Sequence, residues 1–268
     1  RSLSQMIPLN DGKGIWMLAD EKNDEVMNLY YLDLSKGEAA LPEKRSDAEY
    51  VYEFGLSHDE KQLAYLARYR GEKGNSSTKL SGKSKTCLHI IDLQSGDDRQ
   101  LLCDQAKLRF TWGHMEFAQD GKSVYFNAQA QDDRNRVQIV RADIAAKKAR
   151  LTTITKTRSQ RSRADIIKGQ SMEGPWLYYL SNEDGYSNVL RVDVKSKKVE
   201  QISRYTDDVA NAIFVGKGLI VAHGTPAGTD IEWIDAQTGT KKQGARVAGR
   251  VAFLESDDNT LIWAQTAP

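Results

Sequence analysis

The sequence has 268 residues, which is enough for one large domain or two small ones. Its 38 Lys and Arg residues nearly balance its 37 Asp and Glu residues, so the formal net charge is +1. This balance argues against binding nucleic acid or an anionic membrane through overall charge. No apolar run reaches the roughly 18–20 residues that a membrane-spanning helix needs. We therefore predict no nucleic-acid partner and no membrane contact by this chain.

Five similar segments are rich in strand-forming residues and end in Asp, and they recur about every 50 residues. The segments are 29–34, 88–93, 138–144, 189–194 and 231–236, with terminal aspartates Asp33, Asp92, Asp143, Asp193 and Asp235. A small polar turn follows most of these aspartates, and a short polar strand comes next. Such periodic self-similarity indicates a repeat architecture.

A tight turn and an alternating apolar strand precede each of the five segments. These strands begin at Ile15, Leu63, Val124, Trp176 and Leu219, and a sixth copy begins at Leu261. Asp-Gly and Gly-rich turns supply the positive φ angles of tight hairpins, while β-branched and aromatic neighbours favour strands. No apolar stripe with helical period extends over ten residues. The sequence predicts an all-β protein.

Four antiparallel strands in about 50 residues, repeated about five times, are typical of a β-propeller. The repeats predict about five complete blades plus part of a sixth, which would contribute two strands near 250–254 and 261–265. We expect residues 1–268 to form a single propeller domain. Because the sequence opens at Arg1 and the sixth blade is incomplete, we also expect a fragment of a longer chain.

The turn, strand, gap, strand and Asp pattern resembles the WD-like repeat of TolB-like proteins and of the N-terminal propeller of the prolyl oligopeptidase family. The nearest match is 176–203, where Tyr179-Leu-Ser-Asn-Glu-Asp-Gly185 precedes Asn188-Val-Leu-Arg-Val-Asp193. The resemblance implies a non-catalytic propeller that selects peptides for an α/β-hydrolase domain of the same parent peptidase. The alternative that it implies is a TolB-like protein-binding or sensory propeller in a larger, membrane-anchored protein.

Catalysis by this chain itself is not predicted. Gly55-Leu-Ser57-His58-Asp59 places Ser, His and Asp side by side, but consecutive residues cannot adopt the geometry of a catalytic triad. The fifth residue of this stretch is Asp59 rather than Gly, so the stretch does not match the G-x-S-x-G motif of a serine hydrolase either. The four histidines show no metal-ligand spacing, and no cofactor is predicted. A propeller lactonase or sugar hydrolase, the third alternative, would need such a metal or clustered carboxylates.

Two basic loops are the candidate ligand site. One is 68–86, and the other ends at 156–163 and contains Arg158, Arg161 and Arg163. Connections of these two types share one face of a propeller, so the loops could focus anions or carboxylates of a peptide or protein ligand at the channel mouth. Trp112 and His114 begin an inner strand near that face. The alternative for the charged residues is ordinary solvated surface.

The two cysteines fall at paired positions of the hairpin around Ser95. Cys87 and Cys103 would face each other across adjacent strands. A cross-strand disulfide and two buried thiols both fit this register. A disulfide would imply an oxidising compartment, so a periplasmic or other extracytoplasmic location is favoured over the cytoplasm.

Overall fold

The structure of this chain is a computed structural model. It describes residues 2–22, 26–46, 48, 50–69, 85–145, 149–155, 163–168, 172–256 and 261–265. Contacts group the chain into two compact units, which are described separately below. The first unit comprises Arg1–Val124 and Ala142–Arg150, and the second comprises Tyr125–Arg141 and Leu151–Pro268.

The first two sheets each contain four antiparallel strands in chain order. Blade 1 consists of β1 (Ser2–Pro8), β2 (Gly14–Asp20), β3 (Asn28–Asp33) and β4 (Glu43–Lys44), with a 3-10 helix at Leu34–Ala39. Blade 2 consists of β5 (Tyr50–Leu56), β6 (Gln62–Tyr69), β7 (Lys85–Asp92) and β8 (Asp98–Cys103).

The next two sheets each carry one extra short strand, β9 or β15, that pairs with the second main strand. Blade 3 consists of β9 (Leu108–Phe110), β10 (Glu116–Phe117), β11 (Ser123–Ala130), β12 (Asp133–Asp143) and β13 (Arg150–Thr153). Blade 4 consists of β14 (Ala164–Ile166), β15 (Met172–Glu173), β16 (Trp176–Ser181), β17 (Asn188–Asp193) and β18 (Val199–Gln201).

The C-terminal part contains one four-stranded sheet and one strand pair. Blade 5 consists of β19 (Val209–Val215), β20 (Gly218–Thr225), β21 (Gly228–Asp235) and β22 (Lys241–Val247). The pair is β23 (Val251–Ser256) with β24 (Leu261–Gln265). The fold is therefore all-β, with five four-stranded propeller blades and two strands of a sixth, which confirms the prediction. No described helix is long and apolar enough to cross a membrane.

Apolar side chains of adjacent sheets form the cores. In the first unit, Trp16 and Leu18 of blade 1 pack in one cluster with Phe54, Leu63 and Tyr65 of blade 2. In the second unit, a corresponding cluster joins Tyr178 and Val189 of blade 4 to Phe214, Leu219 and Val221 of blade 5. A single sheet leaves one apolar face open, so this packing of neighbours supplies the burial that each blade lacks alone.

The repeated aspartates end the third strand of every blade, as the sequence predicts. At four of them a carboxylate oxygen closes the next turn by accepting backbone N–H groups. Asp193 Oδ1 accepts from Lys195 and Ser196 at 2.9 and 2.8 Å, and Asp235 Oδ1 accepts from Gln237 and Thr238 at 3.0 and 2.7 Å. These hydrogen bonds hold the pKa of each of the two carboxyls below the usual value of 3.8, because they favour the ionised form.

Asp235→Ala should destabilise the protein at pH 7 and much less at low pH. The folded-state pKa of Asp235 is depressed, so its contribution is present above the ordinary aspartate pKa of about 4 and is lost as the pH falls through the lower folded value. Urea unfolding at pH 7 and near pH 2.5 measures this difference. Asp235→Asn, which keeps the acceptor without the charge, should fall between the wild type and Asp235→Ala at pH 7. An equal loss for Asp235→Ala at both pH values would contradict the explanation.

Cys87 lies opposite Cys103 in the β7–β8 register, and a disulfide joins them. Cys87 is buried. The next residue after the bridge, Asp104, accepts N–H groups of Thr86 and Phe110 through its two carboxylate oxygens at 3.1 and 2.7 Å. Burial raises the pKa of the Asp104 carboxyl. Together the bridge and Asp104 fix the end of blade 2 at the start of the segment that leads into blade 3.

Replacing both Cys87 and Cys103 with Ala should lower the free energy of unfolding by about 3 kcal/mol, the chain-entropy value for a loop of this size. The bridge closes a sequence separation of 16 residues. Urea unfolding of the oxidised wild type and of the variant measures the loss. Wild-type protein unfolded in dithiothreitol is the control, and it should match the variant. A variant as stable as the oxidised wild type would show that the cross-link does not stabilise the fold.

Candidate functional site

The first strand of four blades carries a polar residue at one equivalent position. In β-propellers this strand lies closest to the central channel. Each polar residue pairs with an apolar residue at the fifth position of the second strand: Gln5 with Leu18, Glu53 with Leu66, Asp165 with Leu180, and Asn211 with Ala222. The repeat thus presents a carboxamide from blades 1 and 5 and a carboxylate from blades 2 and 4.

A β-bulge precedes this position in three of the blades. The register shifts between Leu3 and Gln5, between Val51 and Glu53, and between Val209 and Asn211. An extra residue in one strand bends it and re-aims the side chains that follow, which is why bulges are common beside functional sites. The bulge therefore changes the direction in which the polar side chain points, compared with its direction in a regular strand.

In the first unit, Gln5 joins the first strands of blades 1 and 2. Its Nε2 donates to the Phe54 carbonyl at 2.8 Å, and its Oε1 accepts the Phe54 N–H at 3.3 Å. The side-chain amide thus takes the place of a neighbouring peptide group. This satisfies two backbone groups that would otherwise face a gap between sheets.

The same edge of blade 2 meets blade 3 through two Glu–His pairs. His114 Nδ1 lies 3.9 Å from Glu53 Oε1, and His58 Nε2 lies 3.6 Å from Glu116 Oε1. Both carboxylates are largely buried, with 13% and 11% of the side-chain surface exposed. His58 belongs to the β5–β6 turn, where the Ser57 hydroxyl donates to Asp59 Oδ1 at 2.8 Å. The Ser57-His58-Asp59 stretch is thus a turn, as the sequence predicts, and His58 faces blade 3.

Trp112 and His114 lie in the segment between β9 and β10. Trp112 is 68% exposed, which makes it one of the most exposed large apolar side chains among the described residues, whereas His114 is half-buried beside Glu53. This segment approaches blade 2 closely, because a Cβ built on Gly55 would lie 2.8 Å from the Met115 carbonyl oxygen. The exposed indole and the two carboxylates thus belong to one seam of the first unit.

The second unit holds the remaining described residue of the predicted site, Arg163. Its Nε and Nη2 donate to the two Asp165 oxygens at 3.1 and 3.2 Å, and its backbone N–H donates to Asn182 Oδ1 at 2.8 Å. The Asn127 amide also donates to Asp165 Oδ1, at 2.6 Å. Arg163 nevertheless keeps 53% of its side chain exposed. Arg158 and Arg161 lie outside the described residues, as does most of the basic loop 68–86.

Blade 5 contains a second polar group that the sequence interpretation missed. Arg246 holds Asp230 through two hydrogen bonds of 2.5 and 2.7 Å, which keep the pKa of Asp230 low. The Tyr205 hydroxyl donates to Glu232 at 2.7 Å, and burial raises the pKa of Tyr205. Each group has its partner within blade 5 or the segment leading into it. We therefore assign them to stability rather than to a ligand site.

The sequence analysis named Trp112, His114 and Arg163 as candidates and did not name Gln5, Glu53, Asp165 or Asn211. These four residues could have been recognised from the repeat. Aligning the repeats by their turns shows a recurrent polar residue within strands that are rich in apolar residues. Among the described residues, no group of three or more His, Cys, Asp or Glu side chains is arranged to hold a metal ion. The contacts described at the first-strand position are hydrogen bonds, made by Gln5 and Asp165, and carboxylate pairs with His or Arg, made by Glu53 and Asp165.

No protein-family model matches the sequence, and no curated protein matches it. Solved structures do share its fold. The acylaminoacyl peptidase of Pyrococcus horikoshii superposes with a TM-score of 0.68 at 14% identity, over 98% of this chain and 41% of the peptidase. TolB from Acinetobacter baumannii superposes at 0.60 with 16% identity, over 91% of this chain and 56% of TolB.

A putative TolB from Agrobacterium tumefaciens matches with a TM-score of 0.58 and 20% identity, over 90% of this chain and 80% of that protein. At these identities the likeness establishes the propeller fold. This chain spans about half or less of the length of the acylaminoacyl peptidase and the Acinetobacter TolB that it resembles.

Gly55→Ala should destabilise the seam between blades 2 and 3, because the new methyl group would lie 2.8 Å from a backbone oxygen that cannot simply rotate away. Overpacking of this kind costs about 1–3 kcal/mol. Thermal unfolding measures the loss. The matched control is Gly224→Ala, whose Cβ would meet only the Asp207 Cβ at 3.9 Å and which should change stability little. Equal unfolding temperatures for the two variants would show that the close approach of the Met115 carbonyl does not restrict the side chain at position 55.

Proposed function

We propose that this chain is the non-catalytic β-propeller of a prolyl-oligopeptidase-like serine peptidase. It receives peptides at the first-strand edges of its blades and limits which of them reach a hydrolase domain of the same parent chain. In this proposal residues 1–268 form one propeller domain of that longer chain. Its likeness to the acylaminoacyl peptidase of Pyrococcus horikoshii, of which it spans 41%, supports this role.

The observation that carries the proposal is the seam between blades 2 and 3. It combines the exposed Trp112 indole with the Glu53–His114 and Glu116–His58 pairs. A peptide offers apolar side chains, for which an exposed indole is the matching contact group. Large aromatic side chains exposed beside such polar groups are typical anchors of peptide binding.

Trp112→Ala should weaken peptide binding about tenfold, because an aromatic anchor contributes more than 1 kcal/mol when it is buried by a ligand. Fluorescence anisotropy of a labelled proline-containing octapeptide measures the affinity. The matched control is Tyr186→Ala, which removes another exposed aromatic (49% exposed) from the β16–β17 turn and should leave the affinity unchanged.

The proposal also expects the isolated chain to release no product from that octapeptide. Equal affinity of the wild type and Trp112→Ala for the octapeptide would show that the seam is not the peptide-binding site. Hydrolysis that a serine-directed inhibitor abolishes would overturn the non-catalytic role.

A second function is a TolB-like protein-binding or sensory propeller of a larger, membrane-anchored protein. It is favoured by the match that spans 80% of a putative TolB, since that protein holds little besides the matched part. The parent reading frame separates the two functions. A hydrolase domain with a Gly-x-Ser-x-Gly elbow beyond this chain supports the peptidase, whereas a membrane segment without a hydrolase domain supports the sensory protein.

The Cys87–Cys103 disulfide supports an extracytoplasmic location for either function. Structural disulfides persist in the periplasm and outside the cell, and the reducing cytosol disfavours them. In both cases the proposed partner is a peptide or protein, and the near-neutral net charge of +1 gives no reason to propose nucleic acid.

A further inference from the structure

Blade 3 breaks the repeat at one buried position. The fifth residue of the second strand is Leu18, Leu66, Leu180 or Ala222 in the other four blades, but it is Asn127 in β11. Asn127 has no exposed surface. Burying an amide in an apolar core is costly unless hydrogen bonds replace its water. A polar residue at this place therefore needs a compensating contact.

That contact is Asp165, which occupies the repeated polar position in blade 4. The Asn127 Nδ2 donates to Asp165 Oδ1 at 2.6 Å. With the two N–H groups of Arg163, Asp165 accepts three hydrogen bonds from the described residues. The carboxylate is thereby held from one side by a buried amide and from the other by an exposed guanidinium.

Arg163 is consequently fixed without being covered. Two of its five guanidinium N–H groups point at Asp165, and its backbone N–H is held by Asn182. The other three guanidinium N–H groups make no hydrogen bond to the described residues. A planar donor group that is already oriented loses little entropy when it binds a second oxyanion, and a guanidinium matches a carboxylate geometrically.

Arg163 differs from Arg246 in how its carboxylate partner is held in place. Arg246 is equally exposed, at 53%, and equally bidentate. Its partner Asp230 stands directly opposite in the adjacent strand, so the sheet register alone sets that pair. Arg163 instead depends on Asp165, and Asp165 depends on a buried asparagine from another blade. An apolar core residue is thus replaced by Asn127, whose amide helps to orient Arg163 at the surface through Asp165.

We propose that Arg163 binds a carboxylate of a peptide ligand, with Asp165 and Asn127 as positioning residues. The inference rests on the proposed peptide-binding function and names the group that is recognised. Such a carboxylate comes either from the peptide C-terminus or from an Asp or Glu side chain. Three N–H donors in one plane can bond it without any change of protonation state.

Three otherwise identical octapeptides test the proposal by anisotropy titration. One has a free C-terminal carboxylate and no acidic side chain, one is its C-terminal amide, and one is the amide with a single Asp. Wild-type protein should bind the first or the third about 10- to 100-fold more tightly than the plain amide, as expected for a charge-assisted bidentate contact. Preference for the first identifies the C-terminus as the source, and preference for the third identifies a side chain.

Arg163→Ala should abolish that preference while the affinity for the plain amide stays unchanged. Arg163→Lys keeps the charge but not the fork and should lose most of the preference. Arg246→Ala is the matched control and should keep the wild-type ratio. A ratio that survives in Arg163→Ala overturns the assignment.

The positioning residues are tested by the same ratio, which a merely structural role would not move. Asp165→Asn and Asn127→Leu should each reduce the preference for the carboxylate peptide at an unchanged amide affinity, and circular dichroism should show the same fold. If Asp165→Asn instead strengthens carboxylate binding, Asp165 only neutralises Arg163 and the positioning role is wrong.

Failure of this inference is distinguishable from failure of the proposed function. If the wild type binds none of the three peptides, peptide binding itself is wrong. If it binds all three with equal affinity, peptide binding stands and carboxylate recognition by Arg163 is overturned.

Discussion

The hydrogen bonding that follows each third strand is the constraint on which the rest of this structure depends. The residue after the repeated Asp donates its N–H to a carbonyl just before the second strand, as Leu34 does to Lys13 at 2.8 Å and Val194 to Pro175 at 2.9 Å. In four blades the Asp carboxylate also caps the turn that starts the fourth strand. These local bonds hold the second, third and fourth strands of each sheet together, and the first strand then pairs with the second in the register that its own turn and bulge set.

The contacts that the first strand of a blade makes with the neighbouring blade differ from one pair of blades to another. In the first unit, the Gln5 amide binds the Phe54 backbone. In the second unit, Lys168 and Ile213 form a parallel bridge, and the Phe214 N–H donates to the Lys168 carbonyl at 2.7 Å. The blades share a backbone plan while each seam has its own contacts. Function can therefore change at one seam without altering the sheets, as is common for repeat folds.

Departures from the repeat occur at candidate residues within each of the two units. Asn127 replaces an apolar core residue, Gly55 allows a backbone carbonyl to approach, and Trp112 stands exposed in the segment between β9 and β10. Each departure has a cost in burial or packing that a purely structural repeat would avoid. The proposals above assign Trp112 to peptide contact and Asn127 to the positioning of Asp165.

The sequence alone determined the strands, the Asp-terminated turns and the register that places Cys87 opposite Cys103, because these follow from turns and alternation within one hairpin. The spacing of the repeats predicted about five blades plus part of a sixth, and the choice between a disulfide and two thiols stayed open until the structure decided it. The sequence identified Trp112, His114 and Arg163 as candidates but gave them no partners. Only the tertiary structure decided that Glu53 faces His114 and that Asn127 holds Asp165, since these residues lie in different sheets, with 38 positions separating the latter pair. Such contacts depend on how one blade packs against the next, and no local pattern encodes that distance.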